Sequence, residues 1–173
     1  MALVLRRTAL FVAIVVIWAL LAAAAAHSAS RDIVAFSGVA PGTIVVKTAE
    51  RKLYYVIDAR RALRFPVGVG RPGKSWTGTA KIEGKYLKPA WSPPAEIRRE
   101  HPGLPAVIPG GTANNPMGEA ALTLRGGKYA IHGTNRPASI GGFVSYGCIR
   151  MFNRDIRELY RLVNIGTPVI VGR

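Results

Sequence analysis

Only one cysteine, Cys148, occurs among the 173 residues, so the chain can form no internal disulfide. Metal ligands are scarce as well: one thiol and three histidines, with no carboxylate cluster beside them, fall short of the sets that hold zinc. A redox relay lacks the second thiol needed to resolve an oxidised Cys148. No cofactor is signalled, and none is expected. Acidic residues are few, nine against 24 Lys and Arg, which leaves a net charge of +15. So basic a surface attracts polyanions. The aromatics are not interleaved with a dense basic stripe, however, so nucleic acid is not the expected partner.

Long apolar sequence is confined to one place. Arg6 and Arg7 precede Ala9 to Ala26, a run of about eighteen apolar residues, close to the shortest span of a bilayer-crossing helix. The small residues from Ala22 to Ser30 suit cleavage by a signal peptidase. Residues 1–30 are therefore read as a signal peptide or, if uncleaved, as a membrane anchor, the only membrane association expected. Either reading directs the remainder to the periplasm or cell envelope, where a carboxylate-rich polymer or anionic lipid suits the charge. In an exported chain an unpaired cysteine is either a small buried hydrophobe or a reactive group.

Residues 31–42, ending in Ala40-Pro41-Gly42, read as a linker, with one domain expected over 43–172. Thr43–Thr48, Lys52–Ile57 and Ala62–Val69 are β-rich and separated by short polar stretches, which predicts an antiparallel meander. Pro66 in the third run suits an edge or a bulge. Thr77–Tyr86, Glu119–Leu124, Lys128–His132 and Thr167–Val171 are further expected strands. The region from Lys88 to Pro116 is too rich in proline for regular ladders and is expected to be a surface excursion lining a cleft. One helix is predicted, because Ile156, Leu159, Tyr160 and Val163 recur at helical spacing opposite Arg154, Arg157 and Arg161. Asn153 is its expected N-cap. The class is mostly β with one helix.

Among the histidines, His27 lies beside the apolar run and His101 in a charged, proline-bounded stretch, where an imidazole needs no special role. His132 ends an apolar strand and precedes Gly133, which allows a close approach by backbone or substrate. A thiol is a weak nucleophile near its free pKa of about 8.5, and an adjacent histidine can take its proton. His132 and Cys148 are thus a candidate dyad, and the backbone N–H groups of Gly147 and Cys148 are candidates for an oxyanion hole.

Ile131-His132-Gly133-Thr134-Asn135 and Ser145-Tyr146-Gly147-Cys148-Ile149-Arg150-Met151 together resemble the signature of the YkuD-type L,D-transpeptidases. The resemblance extends over Phe65–Gly70, Thr77-Gly78-Thr79, Trp91–Pro94, Asn115–Gly118 and Asn164–Val169. It implies a YkuD-like β-sandwich with a mixed sheet and one packed α-helix near the C-terminus. It implies Cys148 as nucleophile, His132 as its proton partner, the Gly133 carbonyl as the group orienting the imidazole, and Gly147 in the oxyanion hole. Arg150, Ser145 and Tyr146 are implied around the substrate, with Arg150 suited to a carboxylate. Many relatives carry a second histidine where this chain has Tyr146, which affects help at the oxyanion or substrate and not the dyad. The implied reaction takes peptidoglycan stem tetrapeptides through a Cys thioester to 3-3 cross-links or to an envelope protein attached to the wall. An L,D-carboxypeptidase, with water as acceptor, and a non-catalytic peptidoglycan-binding module are the alternatives.

Overall fold

The computed structural model describes residues 32–173, so the signal or anchor expected over 1–30 lies outside the described residues. Ten strands run in chain order: β1 (Ile33–Ala35), β2 (Ile44–Lys47), β3 (Lys52–Val56), β4 (Arg61–Gly70), β5 (Gly78–Leu87), β6 (Ala120–Leu124), β7 (Ala130–His132), β8 (Phe143–Ser145), β9 (Ile149–Met151) and β10 (Pro168–Gly172). Helix α1 (Ala95–Glu100) lies between β5 and β6, and α2 (Asn153–Leu162) between β9 and β10.

The strand order is β1-β4-β3-β2-β10-β5-β6-β7-β9, with β9 also paired to β4 and β8 attached to β4. The sandwich therefore closes on itself in a barrel-like way. The sheet is mixed: β2-β3-β4 form the expected antiparallel meander, while β10 joins β2, β9 joins β7 and β8 joins β4 in parallel. Ile44, Val46, Leu53, Val67, Leu122 and Ile131 are central to the main core. Helix α2 packs on β6 and β7, burying Ile156 and Leu159 and leaving Arg154, Arg157 and Arg161 exposed.

Pro66 sits within a central strand, at a place where its missing donor costs nothing. The Val67 N–H donates to Arg51 O at 2.9 Å, so Pro66, one residue away, directs its nitrogen to the opposite edge of β4. On that edge β1 pairs with residues 61–63 and β9 with residues 67 and 68, and Pro66 falls in the gap.

Three differences from the sequence reading have physical causes. The stretch read as a linker over 31–42 contains β1, which pairs antiparallel with β4. The second face of the meander is itself apolar, with Val45, Tyr54 and Val56 buried there, and Val34, Phe36 and Val39 cover it. The proline-rich excursion holds α1, a second helix, and the single bridge Trp91–Ile108. Asn153 makes no cap bond and is the first residue of α2. Its Oδ1 instead accepts the N–H groups of Glu119 (3.1 Å) and Thr134 (3.0 Å), and its Nδ2 donates to Thr134 O (3.0 Å).

That amide joins the helix start to the segments flanking β6 and β7. A Cβ at Gly133 or at Gly118 would lie 2.2 Å from Asn153 Oδ1, so the close approach at Gly133 is made by this side chain. Asn153→Ala removes three hydrogen bonds and leaves two backbone donors without partners. It is expected to lower unfolding free energy by about 2–4 kcal/mol, read from the midpoint of urea denaturation.

Candidate active site

Strand β7 runs parallel to β9, with Ile131 opposite Ile149 and His132 opposite Arg150. Side chains alternate across a strand, so burying Ile131, Ile149 and Met151 in the core turns His132 and Arg150 to the other face. Cys148, two residues before Arg150, shares that face. His132, Cys148 and Arg150 line one cavity of about 160 Å³. Trp91, Pro94, Glu96 and Ile97 of the excursion form part of its wall, together with Pro116 and Met117.

Asn115 holds that wall in shape. Its buried Nδ2 donates to the carbonyls of Pro89 (2.9 Å), Pro109 (3.0 Å) and Ile108 (3.2 Å), while its Oδ1 accepts Met117 N–H at 2.8 Å. One side chain thus supplies the bonds that a proline-rich backbone cannot make for itself. Ion pairs then tie α1 to the turn after β4, Arg71 to Glu100 at 2.8 Å and Lys74 to Glu96.

His132 is 4% exposed, and its Nδ1 lies 2.7 Å from Gly133 O. A carbonyl only accepts, so Nδ1 carries the proton and Nε2 is left as the basic nitrogen. Burial, and after it the Arg150 charge, hold the imidazole neutral with a pKa of about 4. Cys148 is half-buried. Burial pushes its thiol above the ordinary value, against a backbone hydrogen bond from Ala130 and the nearby Arg150 cation. The resting pair is therefore a neutral thiol and a neutral imidazole.

Arg150 is desolvated, which lowers its pKa, and Arg136 nearby adds to the effect. Its Nε is buried with no hydrogen-bond partner. A buried, unpartnered guanidinium donor is costly unless a ligand completes it. Arg150 also borders a larger adjoining cavity of about 590 Å³, whose lining includes Arg71, Arg136, Phe143 and Val144. His101 lines this second cavity and not the one that contains Cys148.

The loop before the thiol differs from what the sequence implies. Ser145 is buried, and its hydroxyl donates to Cys148 O at 2.6 Å while accepting Gly147 N–H at 3.1 Å. These two bonds make Ser145 a clamp within the loop, while the residue also lines the cavity that holds Cys148. The same bond engages the Gly147 N–H, which removes that donor from a prospective oxyanion hole and leaves the Cys148 N–H. The Tyr146 hydroxyl donates to Glu100, and Arg71 lies 4.1 Å over the Tyr146 ring. Tyr146 thus borders both cavities with its ring, but its polar end is committed to α1.

Sequence reasoning missed Trp76 and Tyr129. The Trp76 indole N–H donates to Gly147 O at 3.0 Å across 71 residues, and the ring stacks on Tyr129 at 5.0 Å with an interplanar angle of 4°. No local pattern marks either residue.

The same family emerges from comparison with known proteins. A family model for the YkuD L,D-transpeptidase catalytic domain matches residues 41–171. The YkuD protein of Bacillus subtilis (strain 168) is 52% identical over 133 residues, covering 77% of this chain and 67% of that one. The YbiS protein of Escherichia coli (strain K12), named a probable L,D-transpeptidase, is 42% identical over 135 residues, covering 73% of this chain and 43% of YbiS. The catalytic domain of an Enterococcus faecium L,D-transpeptidase, described as acylated by ertapenem, aligns with a TM-score of 0.59 at 20% identity, over 79% of this chain and 100% of that domain. The chain belongs to the YkuD L,D-transpeptidase catalytic-domain family, and it spans less than half the length of relatives such as YbiS.

The depressed pKa of His132 has a consequence for folding. Between about pH 6.5 and 4 the unfolded chain binds a proton that the folded chain refuses, so stability is full above that window and falls as pH falls through it, by up to about 3 kcal/mol. His132→Gln, which cannot titrate, is expected to flatten this part of the profile when urea unfolding of both proteins is followed from pH 7 to pH 4.

Proposed function

We propose that the protein is an exported cysteine L,D-transpeptidase that acts on peptidoglycan stem tetrapeptides. Residues 1–30 are its signal peptide or anchor, residues 43–172 carry the catalysis, and it works in the periplasm or cell envelope. The observation that carries the reading is the convergence on one cavity of a thiol, an imidazole whose Nε2 is left basic, and an arginine with a buried donor to spare. The net charge of +15 suits a carboxylate-rich polymer.

The stem peptide presents the carbonyl between its third residue and the terminal D-alanine to Cys148, with Arg150 taking a carboxylate of the substrate. With both groups neutral at rest, the thiol gives its proton to His132 Nε2 as Sγ attacks. The Sγ–C bond forms, the carbonyl π pair moves onto oxygen, and the Cys148 N–H donates to that oxyanion. The intermediate collapses as the C–N bond breaks, D-alanine leaves with the proton from His132, and a thioester remains. The imidazolium is offset by its bond to Gly133 O. An amine then attacks the thioester and gives a proton to His132 Nε2; the C–S bond breaks, Sγ takes that proton to restore the thiol, and the product is a 3-3 cross-link if the amine belongs to a second stem and a tethered protein if it belongs to an envelope protein. Over the full cycle the proton that departs with D-alanine is replaced by one from the incoming amine, so the His132–Cys148 pair returns to its starting state.

A purified tetrapeptide stem, incubated with the enzyme and followed by mass spectrometry, tests the reading. Loss of D-alanine with dimer formation is expected; tripeptide alone marks water as the acceptor and a carboxypeptidase, and no turnover marks a binding module. Cys148→Ala and His132→Ala are each expected to cut turnover by about 10³-fold or more with the fold intact. Arg150→Gln is expected to raise KM by about 10-fold through loss of a charge-assisted hydrogen bond.

A further inference from the structure

We infer that Trp76, seated on Tyr129, is a positioning residue that sets the direction of the Cys148 amide, and so builds the oxyanion donor from outside the cavity. This rests on the acyl-transfer reading above. Trp76 lies in the segment between β4 and β5, packs against the main core and does not line the cavity that holds Cys148. Its indole N–H nevertheless donates to Gly147 O at 3.0 Å. That carbonyl belongs to the same peptide unit as the Cys148 N–H. In a planar trans peptide the carbonyl and the following N–H point in opposite directions. Holding Gly147 O toward Trp76 therefore turns the Cys148 N–H away from Trp76, which is itself outside the lining of the cavity although Tyr129 beneath it takes part in that lining.

The unit needs such a tether because its glycine would otherwise leave it free to rotate. Gly147 has φ +117°, a region that L side chains rarely adopt, and a Cβ there would stand 2.3 Å from Tyr129 Cε1. Glycine is required by both conformation and contact, yet it also offers the lowest barrier to a peptide flip. The neighbouring bonds, Ser145 Oγ to Cys148 O and Gly147 N–H to Ser145 Oγ, fix the flanking peptide units and leave the Gly147–Cys148 unit to Trp76. Tyr129 keeps the indole in place by parallel stacking, and it immediately precedes β7, the strand that ends in His132. The base and the oxyanion donor are thereby referred to the same short piece of backbone.

The test compares two reactions of the same thiol in the full-length chain. Acylation of Cys148 by ertapenem passes through an oxyanion, whereas alkylation by iodoacetamide displaces iodide at a saturated carbon and forms none. In Trp76→Phe, which keeps the stack and loses the donor, acylation is expected to slow about 10- to 100-fold while alkylation stays within about threefold of the parent. Tyr129→Leu, which keeps the donor and removes its support, is expected to show the same selective loss and carries the test if Trp76→Phe fails to fold. An unchanged acylation rate, or an equal fall in both reactions, overturns the inference while the parent's acylation upholds the transpeptidase reading. A parent whose Cys148 is alkylated but never acylated overturns both.

Discussion

The pairing of β7 with β9 is the constraint on which the site depends. Two strands of three residues each, joined in parallel, put His132 beside Arg150 and leave Cys148 on the same face. Their other faces are clamped by burial of Ile131, Ile149 and Met151. A one-residue slip in this register would carry His132 and Arg150 into the core, so the apolar packing that stabilises the fold also sets the geometry of the candidate site. Asn153 works to the same end, tying the first residue of α2 to the chain on either side of β6 and β7.

The opposite wall of the cavity is built on different physics. The segment between β5 and β6 contributes no buried residue from its helix α1 and makes one isolated bridge. It relies on the Asn115 amide inside and on Arg71, Lys74, Glu96 and Glu100 at its margin. These charges are partly exposed, so their attraction is screened by salt, unlike the hydrophobic contacts beneath β7 and β9. Tyr146 links the two halves, since its hydroxyl reaches Glu100 while it stands two residues before the thiol. The site thus has one face set by the core and one held by polar contacts, with the loop of Cys148 between them.

The electrostatics follow from this burial. A deeply placed imidazole resists protonation and a desolvated thiol resists ionisation, so both groups rest neutral. Arg150 is kept half-covered at the junction of two cavities with its Nε uncompensated, which favours an anionic ligand there.

Much of the scaffold was legible in the chain. β-rich runs such as Lys52–Ile57, separated by short polar stretches, marked strands, and the spacing of Ile156, Leu159 and Val163 marked α2, because both signals lie within short stretches of chain. The strands β1, β8 and β9 escaped detection: three residues carry no measurable period, and each exists only because a distant partner accepts it. Asn153 has the chemistry of a cap, and its actual bonds to residues 119 and 134 depend on how the chain returns.

Residue types and local spacing by themselves determined the mostly β class, the absence of any internal disulfide, and the candidacy of His132 and Cys148, since these are properties of short stretches of covalent chain, while Arg150 entered through the family resemblance. Only the tertiary structure decided that Ser145 and the Gly147 N–H are spent on each other, that Tyr146 faces Glu100, and that Trp76 holds the Gly147 carbonyl. The physical reason is that a donor's partner is set by which surfaces the core brings within about 3 Å, and that choice belongs to the packed whole.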